Sequence, residues 1–130
     1  MFTVHFEVVP DQYTVCRPAG ELDAFSVHEF RQALAEVASS RRLVIDLSAV
    51  PFVDSAGLGA LIGGIRRVRE LGGVVVVACG RPTLASLLHT TGIDRIVTVT
   101  GTVAEAAAWL EQTGSGAETA FAPAPLAVET

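Results

Sequence analysis

Residues 50–64 read VPFVDSAGLGALIGG, and this stretch gives the clearest indication of how the chain folds. The apolar run 50–53 is followed by the small and polar residues 54–57, and then by apolar residues at helical spacing. Asp and Ser favour helix N-termini because their side-chain oxygens accept hydrogen bonds from unpaired backbone N–H groups. The stretch therefore predicts a loop-to-helix junction with Asp54 or Ser55 at the cap.

Ser55 has two interpretations at this junction. It can be a purely structural cap, or it can carry a phosphate, since a helix N-terminus offers free N–H donors and a favourable dipole to an anion. The residue chemistry alone leaves both interpretations open.

Length and composition indicate one folded domain. The chain has 130 residues, of which 50% are hydrophobic and 18% charged. A chain of this length can bury a hydrophobic core without disulfides or a structural metal. No apolar run approaches the roughly 18 residues of a membrane span, and the first residues lack the layout of a signal peptide. We therefore expect a cytoplasmic protein with no membrane partner.

Charge and potential metal ligands exclude further classes. A net charge of −5 argues against nucleic acid as the main partner. His5, His28 and His89 have no metal-ligand spacing, so no metal site is predicted. Cys16 and Cys79 share no C-x-x-C spacing and are predicted to be buried, reduced thiols.

The order of apolar patterns predicts an α/β fold. Alternation in residues 2–9 indicates a strand that buries Phe2, Val4, Phe6 and Val8 on one face. The other predicted elements are strands at 13–19, 43–47, 74–79 and 96–99, and helices at 26–38, from 54 or 55 to Gly72, from Pro82 to Gly92, and from Thr102. Strand–helix–strand repeats pair in parallel, and the first two strands form an antiparallel hairpin. We expect a single domain with a mixed β-sheet of about five strands and about four helices.

Several local features follow from the same patterns. Ser26 with Glu29, and Thr102 with Glu105, have the spacing of capping boxes. Pro18 suggests an edge or a bulge near the end of the second strand. The domain is predicted to span residues 1–112, and the Ala- and Pro-rich residues 113–130 are predicted to be a flexible tail.

The helix after Ser55 contains more glycine than helix formation favours. Its apolar stripe consists of Leu58, Leu61, Ile62, Ile65 and Val68. Off this stripe lie Gly59, Ala60, Gly63 and Gly64. A mid-helix glycine costs roughly 0.5–1 kcal/mol relative to alanine. Three explanations are open: close packing within the domain, simple tolerance of the cost, or a smooth surface for a partner.

A dinucleotide-binding loop fits these glycines poorly. Gly57, Gly59 and Gly63 approximate a G-x-G-x-x-x-G pattern, but Gly57 lies ten residues beyond Leu47, where the preceding strand is predicted to end. The next strand leads into residues 79–81, Cys-Gly-Arg, instead of the acid that holds a ribose.

A catalytic serine is also poorly supported. Ser55 has no glycine two residues before it, as a G-x-S-x-G elbow requires, and the spacing of His28 and His89 reveals no acid–base arrangement.

The chain resembles the STAS domain, and more narrowly the bacterial anti-sigma factor antagonists. The resemblance rests on residues 54–59, DSAGLG, preceded by residues 44–48, VIDLS, and by residues 20–23, GELD. It covers about residues 3–112 and includes Gly72-Gly73 before a valine-rich strand. Members of that family are not enzymes and need no cofactor.

The resemblance implies a partner and a phosphorylated residue. Unphosphorylated members bind an anti-sigma factor that is also a serine kinase, and a serine phosphatase reverses the phosphorylation. Ser55 matches the phosphoacceptor, and Asp23 matches an acidic position near it. Many relatives have Ser or Thr where this chain has Ala56. The residues expected to contact the partner are Asp23, Asp54, Ser55, Ala56, Gly57, Gly59, Ala60 and Gly63.

The physical chemistry agrees with such a switch. A phosphate on Ser55 adds about −1.5 to −2 charge beside Asp54, so a partner packed there meets a hydrated anion and docking weakens. The alternative is a STAS module that serves as an interaction or scaffold subunit of a signalling or transport assembly, without phosphorylation. A homodimer is also compatible with the sequence.

Overall fold

The structure is a computed structural model that describes residues 1–117. The strands are β1 (Thr3–Val9), β2 (Tyr13–Ala19), β3 (Arg42–Asp46), β4 (Val74–Ala78) and β5 (Thr98–Thr100). The α-helices are α1 (Val27–Glu36), α2 (Ser55–Glu70), α3 (Pro82–Thr90) and α4 (Val103–Ala117). This order confirms the predicted alternation of strands and helices.

The five strands form one mixed sheet in the order β1-β2-β3-β4-β5. β1 and β2 are antiparallel, whereas β2, β3, β4 and β5 are parallel to one another. The hairpin turn places Asp11 at a φ of 62°, a conformation that Asp tolerates better than most residues. The predicted α/β fold with an N-terminal hairpin is confirmed.

The helices cover the two faces of the sheet unequally. α1, α2 and α3 pack on one face, where Phe30, Leu61 and Leu88 contact the same core as Ile45 of β3. On the other face α4 packs over the middle strands, with buried residues Val15, Val44, Val76, Ala78, Ala106 and Leu110. Residues 43–45 of β3 and all of β4 are apolar because both faces of these strands are covered.

The prediction that β1 buries one whole face is wrong at its second half. Phe2 and Val4 pack against the core, and the Phe2 ring lies edge-on to Phe30 with centroids 6.4 Å apart. Phe6 and Val8 remain 41% and 68% exposed. Alternation in the sequence gives the face of each residue but not how far the helices extend over it.

The fifth strand begins later than predicted. Gly92 takes a φ of 81° and leads into a short 3-10 helix, Ile93–Arg95. The N–H groups of Ile96 and Val97 both donate to the Ile93 carbonyl, at 3.0 and 3.1 Å. Because the chain is still turning at Ile96, the strand starts at Thr98.

Pro18 lies in a gap of the β2–β3 ladder. The two strands pair up to Cys16 and Ile45, and contact resumes only at the bridge between Ala19 and Ala49. A proline is tolerated at that position because it has no N–H to offer the ladder. β2 is nevertheless an inner strand of the sheet.

The two predicted capping boxes have different outcomes. Ser26 precedes α1, but its hydroxyl donates to the Glu21 carbonyl at 2.7 Å instead of capping the helix, so that prediction is wrong. Thr102 does cap α4, since its Oγ1 accepts from the Glu105 N–H at 3.0 Å. The Glu105 carboxylate reaches the N–H of Gly101, one residue before the expected one, at 2.8 Å.

The C-terminal helix extends past the predicted domain boundary. α4 runs to Ala117, five residues beyond position 112, whereas the remaining part of the predicted tail, 118–130, lies outside the described residues. Across the part of the chain that the structure describes, no helix is long and apolar enough to cross a membrane.

Candidate functional site

Two loops at the carboxyl ends of β2 and β3 are joined by backbone hydrogen bonds. The N–H of Gly20 donates to Ala49 at 3.0 Å, and that of Leu22 donates to Phe52 at 2.9 Å. The N–H of Asp54 returns to the Leu22 carbonyl at 3.1 Å. These bonds bring the loop that contains Asp23 beside the start of α2.

Asp54 caps α2 and also fastens the second loop. Its Oδ1 accepts from the Gly57 N–H at 3.0 Å, and its Oδ2 accepts from the Ala24 N–H at 3.1 Å. Asp54 is therefore the N-cap, and the sequence analysis was right to place the cap at position 54 or 55. Because this carboxylate satisfies the helix end, the cap does not require the Ser55 hydroxyl.

Ser55 is the first residue of α2 and is exposed. Within residues 1–117, its hydroxyl makes no hydrogen bond to another residue. The helix is 16 residues long and has no acidic side chain in its first turn. An anion on the Ser55 oxygen would thus lie at the positive end of the helix dipole. The Asp54 carboxylate, at the cap, already places one negative charge there.

Asp23 is held in place by its own loop. Its Oδ1 accepts from the N–H groups of Phe25 and Ser26, at 3.0 and 3.1 Å. Its backbone N–H donates to Ser26 Oγ at 3.0 Å. The side chain is half-buried, so the structure fixes a carboxylate in the loop that Asp54 ties to α2.

The small residues of α2 divide into two groups. Gly57 and Ala60 are buried, and a Cβ on Gly57 would lie 2.6 Å from the Leu22 carbonyl oxygen. Gly64 packs against Leu34 of α1. Gly59 and Gly63 are exposed, with nothing within 4 Å of a Cβ added at either. Close packing therefore explains Gly57 and Gly64, whereas a partner surface at Gly59 and Gly63 stays a prediction.

The exposed group forms a smooth strip on α2. Ser55, Gly59 and Gly63 follow one another at four-residue spacing and are all exposed, with Ala56 half-buried beside them. The predicted partner-contacting residues Gly57 and Ala60 lie beneath this strip and do not add to its exposed surface. Of the predicted site residues, Asp23, Asp54, Ser55, Ala56, Gly59 and Gly63 have side chains or surfaces that solvent reaches.

Two exposed aromatic residues border the site and were missed by the sequence analysis. Phe25 is 95% exposed in the Asp23 loop, and Phe52 is 52% exposed in the loop before Asp54. The 2.9 Å bond from Leu22 to Phe52 and the 3.1 Å bond from Ala24 to Asp54 hold these loops together. The available signal was an aromatic residue at position 25 in a polar loop, outside any strand or helix pattern.

The described residues show neither the catalytic serine arrangement nor the dinucleotide-binding loop considered from the sequence. His89 Nδ1 lies 2.8 Å from Asp94 Oδ2 at the end of α3, and within the described residues no histidine hydrogen-bonds to Ser55. The close approach that Gly57 permits is to the backbone of Leu22, not to a ligand loop. In residues 1–117, no group of three or more potential His, Cys, Asp or Glu ligands is arranged to hold a metal ion.

The sequence of this chain is similar to a known domain family and to several named proteins. The family model described as the STAS domain matches residues 5–106. An anti-sigma-B factor antagonist of Listeria monocytogenes is 31% identical over 83 residues, covering 62% of this chain and 73% of that protein. An anti-sigma F factor antagonist of Paenibacillus polymyxa is 28% identical over 88 residues, covering 65% of this chain and 75% of that protein.

A solved structure extends the likeness to three dimensions. The crystal structure of an anti-sigma factor antagonist from Mycobacterium paratuberculosis superposes with a TM-score of 0.74 and 31% identity. The match covers 85% of this chain and 95% of that one.

Proposed function

This chain belongs to the STAS domain family, and we propose that it acts as an anti-sigma factor antagonist. In this proposal it works in the cytoplasm by binding protein, without catalysis, a cofactor or nucleic acid. Its relatives from Listeria, Paenibacillus and Mycobacterium support this role, since each is named an anti-sigma factor antagonist. The unphosphorylated chain binds an anti-sigma factor that is also a serine kinase, and the bound sigma factor is released.

The observation that carries the proposal is the position of Ser55. A serine that caps a helix has its oxygen occupied by a backbone N–H, whereas here Asp54 accepts that bond at 3.0 Å. The exposed Ser55 hydroxyl therefore remains available to a kinase without cost to the helix.

The phosphorylation step follows from ordinary phosphoryl transfer. The Ser55 oxygen attacks the γ-phosphorus of ATP, the bond between that phosphorus and the bridging oxygen of ADP breaks, and the hydroxyl proton passes to a base of the kinase. A serine phosphatase reverses the modification by adding water to the phosphoserine, which releases inorganic phosphate.

Charge explains why this modification ends docking. The new dianion is compatible with the helix N-terminus, so the domain stays folded. A partner packed over Gly59 and Gly63 would have to desolvate the phosphate beside the carboxylates of Asp54 and Asp23. The two exposed aromatic residues, Phe25 and Phe52, supply apolar contact area at the edge of the same interface.

Labelling tests the phosphorylated residue. We expect the cognate anti-sigma factor kinase and ATP to add one phosphate, which mass spectrometry maps to Ser55. Ser48, an exposed serine in the neighbouring loop, gives a matched control: Ser48→Ala is labelled like the wild type and Ser55→Ala is not. No label, or a label that persists in Ser55→Ala, contradicts the proposal and favours a STAS module without a phosphorylation cycle.

Binding measurements test the docking surface. By isothermal titration with the same kinase, Ser55→Asp and Phe25→Ser should each weaken affinity about tenfold or more, the first through charge and the second through lost apolar contact. Ser55→Asn controls for size without charge, and Leu71→Ser controls for loss of an exposed apolar residue at the far end of α2. Equal affinities for Ser55→Asp and Ser55→Asn would exclude the electrostatic explanation.

A further inference from the structure

β1 is an edge strand, and no other strand of the described residues pairs with its outer side. It pairs with β2 along all seven of its residues and is the first strand in the sheet order. An edge strand presents a row of unpaired backbone N–H and C=O groups to other chains, and proteins commonly block such edges with proline, lysine or a bulge. The sequence of β1, TVHFEVV, contains neither of those residues, and its ladder with β2 is continuous from Thr3 to Val9.

The open edge coincides with uncovered apolar side chains. Residues opposite each other in an antiparallel ladder share a face, so the pairs Val4–Pro18 and Phe6–Cys16 place Val4 and Phe6 on the face that carries α1. Val4 packs against the core, but Phe6 and Val8 are 41% and 68% exposed. Within residues 1–117, the second half of β1 thus lacks a cover.

We propose that two copies of this chain pair through antiparallel β1 strands, with Phe6 of one copy opposite Phe6 of the other. The two sheets then join into one continuous sheet around a twofold axis at Phe6. Each other residue of β1 lies opposite the one equally far from Phe6 on the other side, so that His5 faces Glu7 and Val4 faces Val8.

Charge selects this register. His5 and Glu7 are both exposed on the opposite face from Phe6, and the twofold axis generates two His5–Glu7 pairs, in which a ring N–H can donate to a carboxylate. Glu7 is already ion-paired with Arg17 of its own chain, which holds that carboxylate on the strand surface. A shift of the axis by one residue towards Val8 sets Glu7 against Glu7, and like charges directly opposite destabilise a sheet. A shift by one residue the other way sets His5 against His5 and loses both His5–Glu7 pairs.

Apolar contact selects the same register. The uncovered Val8 of one copy lies opposite Val4 of the other copy. Val4 belongs to the end of β1 that packs against the core beneath α1. Each copy therefore supplies the cover that the other lacks, and the two Phe6 side chains meet at the axis. The interface shares no residue with the Ser55 site and does not depend on the proposed function.

Sedimentation velocity with the full chain tests the pairing. We expect a dimer whose dissociation constant is on the order of 100 µM or lower. His5→Glu places a carboxylate opposite Glu7 twice and should raise the dimer dissociation constant about tenfold. Thr3→Glu adds the same charge to the same face of β1, but opposite Val9, and should leave that constant within about twofold.

Cysteine cross-linking tests the position of the axis. Phe6→Cys puts two thiols on opposite residues whose Cα atoms would lie roughly 4.5–5.5 Å apart, within reach of a disulfide. Val8→Cys puts them roughly 13 Å apart along the strands, at about 3.4 Å per residue. Cys16 lies opposite position 6 on β2 and would compete for the new thiol, so both variants also carry Cys16→Ala. Mild oxidation should then give a covalent dimer of the Phe6→Cys protein and leave the Val8→Cys protein monomeric on a non-reducing gel.

Three results would overturn the proposal. The first is a wild-type chain that stays monomeric at concentrations up to several times about 100 µM. The second is equal dimer dissociation constants for His5→Glu and Thr3→Glu, and the third is equal cross-linking of the two cysteine variants. All substituted positions of β1 are exposed or partly exposed at the strand edge, and circular dichroism checks that each variant is folded.

Discussion

At the scale of single residues, two glycines of α2 have opposite roles that their spacing does not reveal. A Cβ on Gly57 would lie 2.6 Å from the Leu22 carbonyl oxygen and 2.9 Å from Val53 Cγ1. Leu22 and Val53 are themselves bridged, so neither can easily move away. A Cβ on Gly59 meets nothing within 4 Å, so only the conformational cost of glycine remains there.

Alanine substitution should separate these roles. We expect Gly57→Ala to lower the free energy of unfolding by about 1–3 kcal/mol through overpacking, and Gly59→Ala to raise it by up to about 1 kcal/mol through helix propensity. Urea denaturation monitored by circular dichroism measures both. A stabilised Gly57→Ala protein would show that the contact with Leu22 relaxes freely.

At the scale of secondary-structure elements, the start of α2 depends on a contact with a distant loop. The Asp54 carboxylate accepts from Gly57 three residues ahead and from Ala24 thirty residues behind. It therefore stabilises the helix end and also the position of the Asp23 loop.

Removing this carboxylate should cost more than removing an ordinary cap. We expect Asp54→Ala to lower the free energy of unfolding by about 2 kcal/mol, since both a helix cap and a second hydrogen bond are lost. Asp54→Asn retains one acceptor oxygen and should lose about half as much. If urea denaturation gives the same free energy for Asp54→Ala and the wild type, the cap and the loop contact contribute nothing measurable.

The elements that the sequence predicted well are those governed by local patterns. The centre of β3, residues 43–45, and all of β4 are apolar because these strands are covered on both faces. Gly72 and Gly92 end their helices with φ angles of 89° and 81°. The failures come from contacts that the local pattern does not contain. The Ser26 hydroxyl is taken by the Glu21 carbonyl, and the exposure of Phe6 depends on where α1 stops covering the sheet.

The candidate site was predictable to a similar extent. The cap at position 54 or 55 follows from the chemistry of a helix start, and the Asp54 cap bond agrees with it. The role of Ser55 rests on the family resemblance and stays a prediction. The division between buried Gly57 and open Gly59 could not be predicted, because the buried position is defined by Leu22, far away in the sequence. The exposure of Phe25 likewise depends on the arrangement of two loops.

At the scale of the whole molecule, the core holds a thiol whose ionisation is linked to unfolding. Cys16 is fully buried between β1 and β3, and burial raises its pKa from 9.0 to about 12. In the unfolded chain the thiol ionises as the pH passes 9.0, whereas in the folded chain it stays protonated until about pH 12. The stabilisation from this group is therefore complete below pH 9.0 and is lost as the pH rises from there towards 12.

This linkage predicts an alkaline loss of stability that depends on one side chain. Between about pH 9.5 and 11, near the centre of that window, the wild type should lose up to about 1.4 kcal/mol per pH unit more than Cys16→Ala does. Urea denaturation at several pH values measures the two slopes. Cys16→Ala will be less stable at pH 8 because of its cavity, but only equal slopes would contradict the prediction.

The strand order β1-β2-β3-β4-β5 has a consequence for how the chain folds during synthesis. Each strand pairs with the strand made immediately before it, so no strand has to wait for a later one in order to find its neighbour. Once the hairpin has left the ribosome, every further helix and strand can add to the growing edge as it emerges. The sheet can thus assemble in the direction of translation, and α4, which closes its second face, is the last described element to arrive.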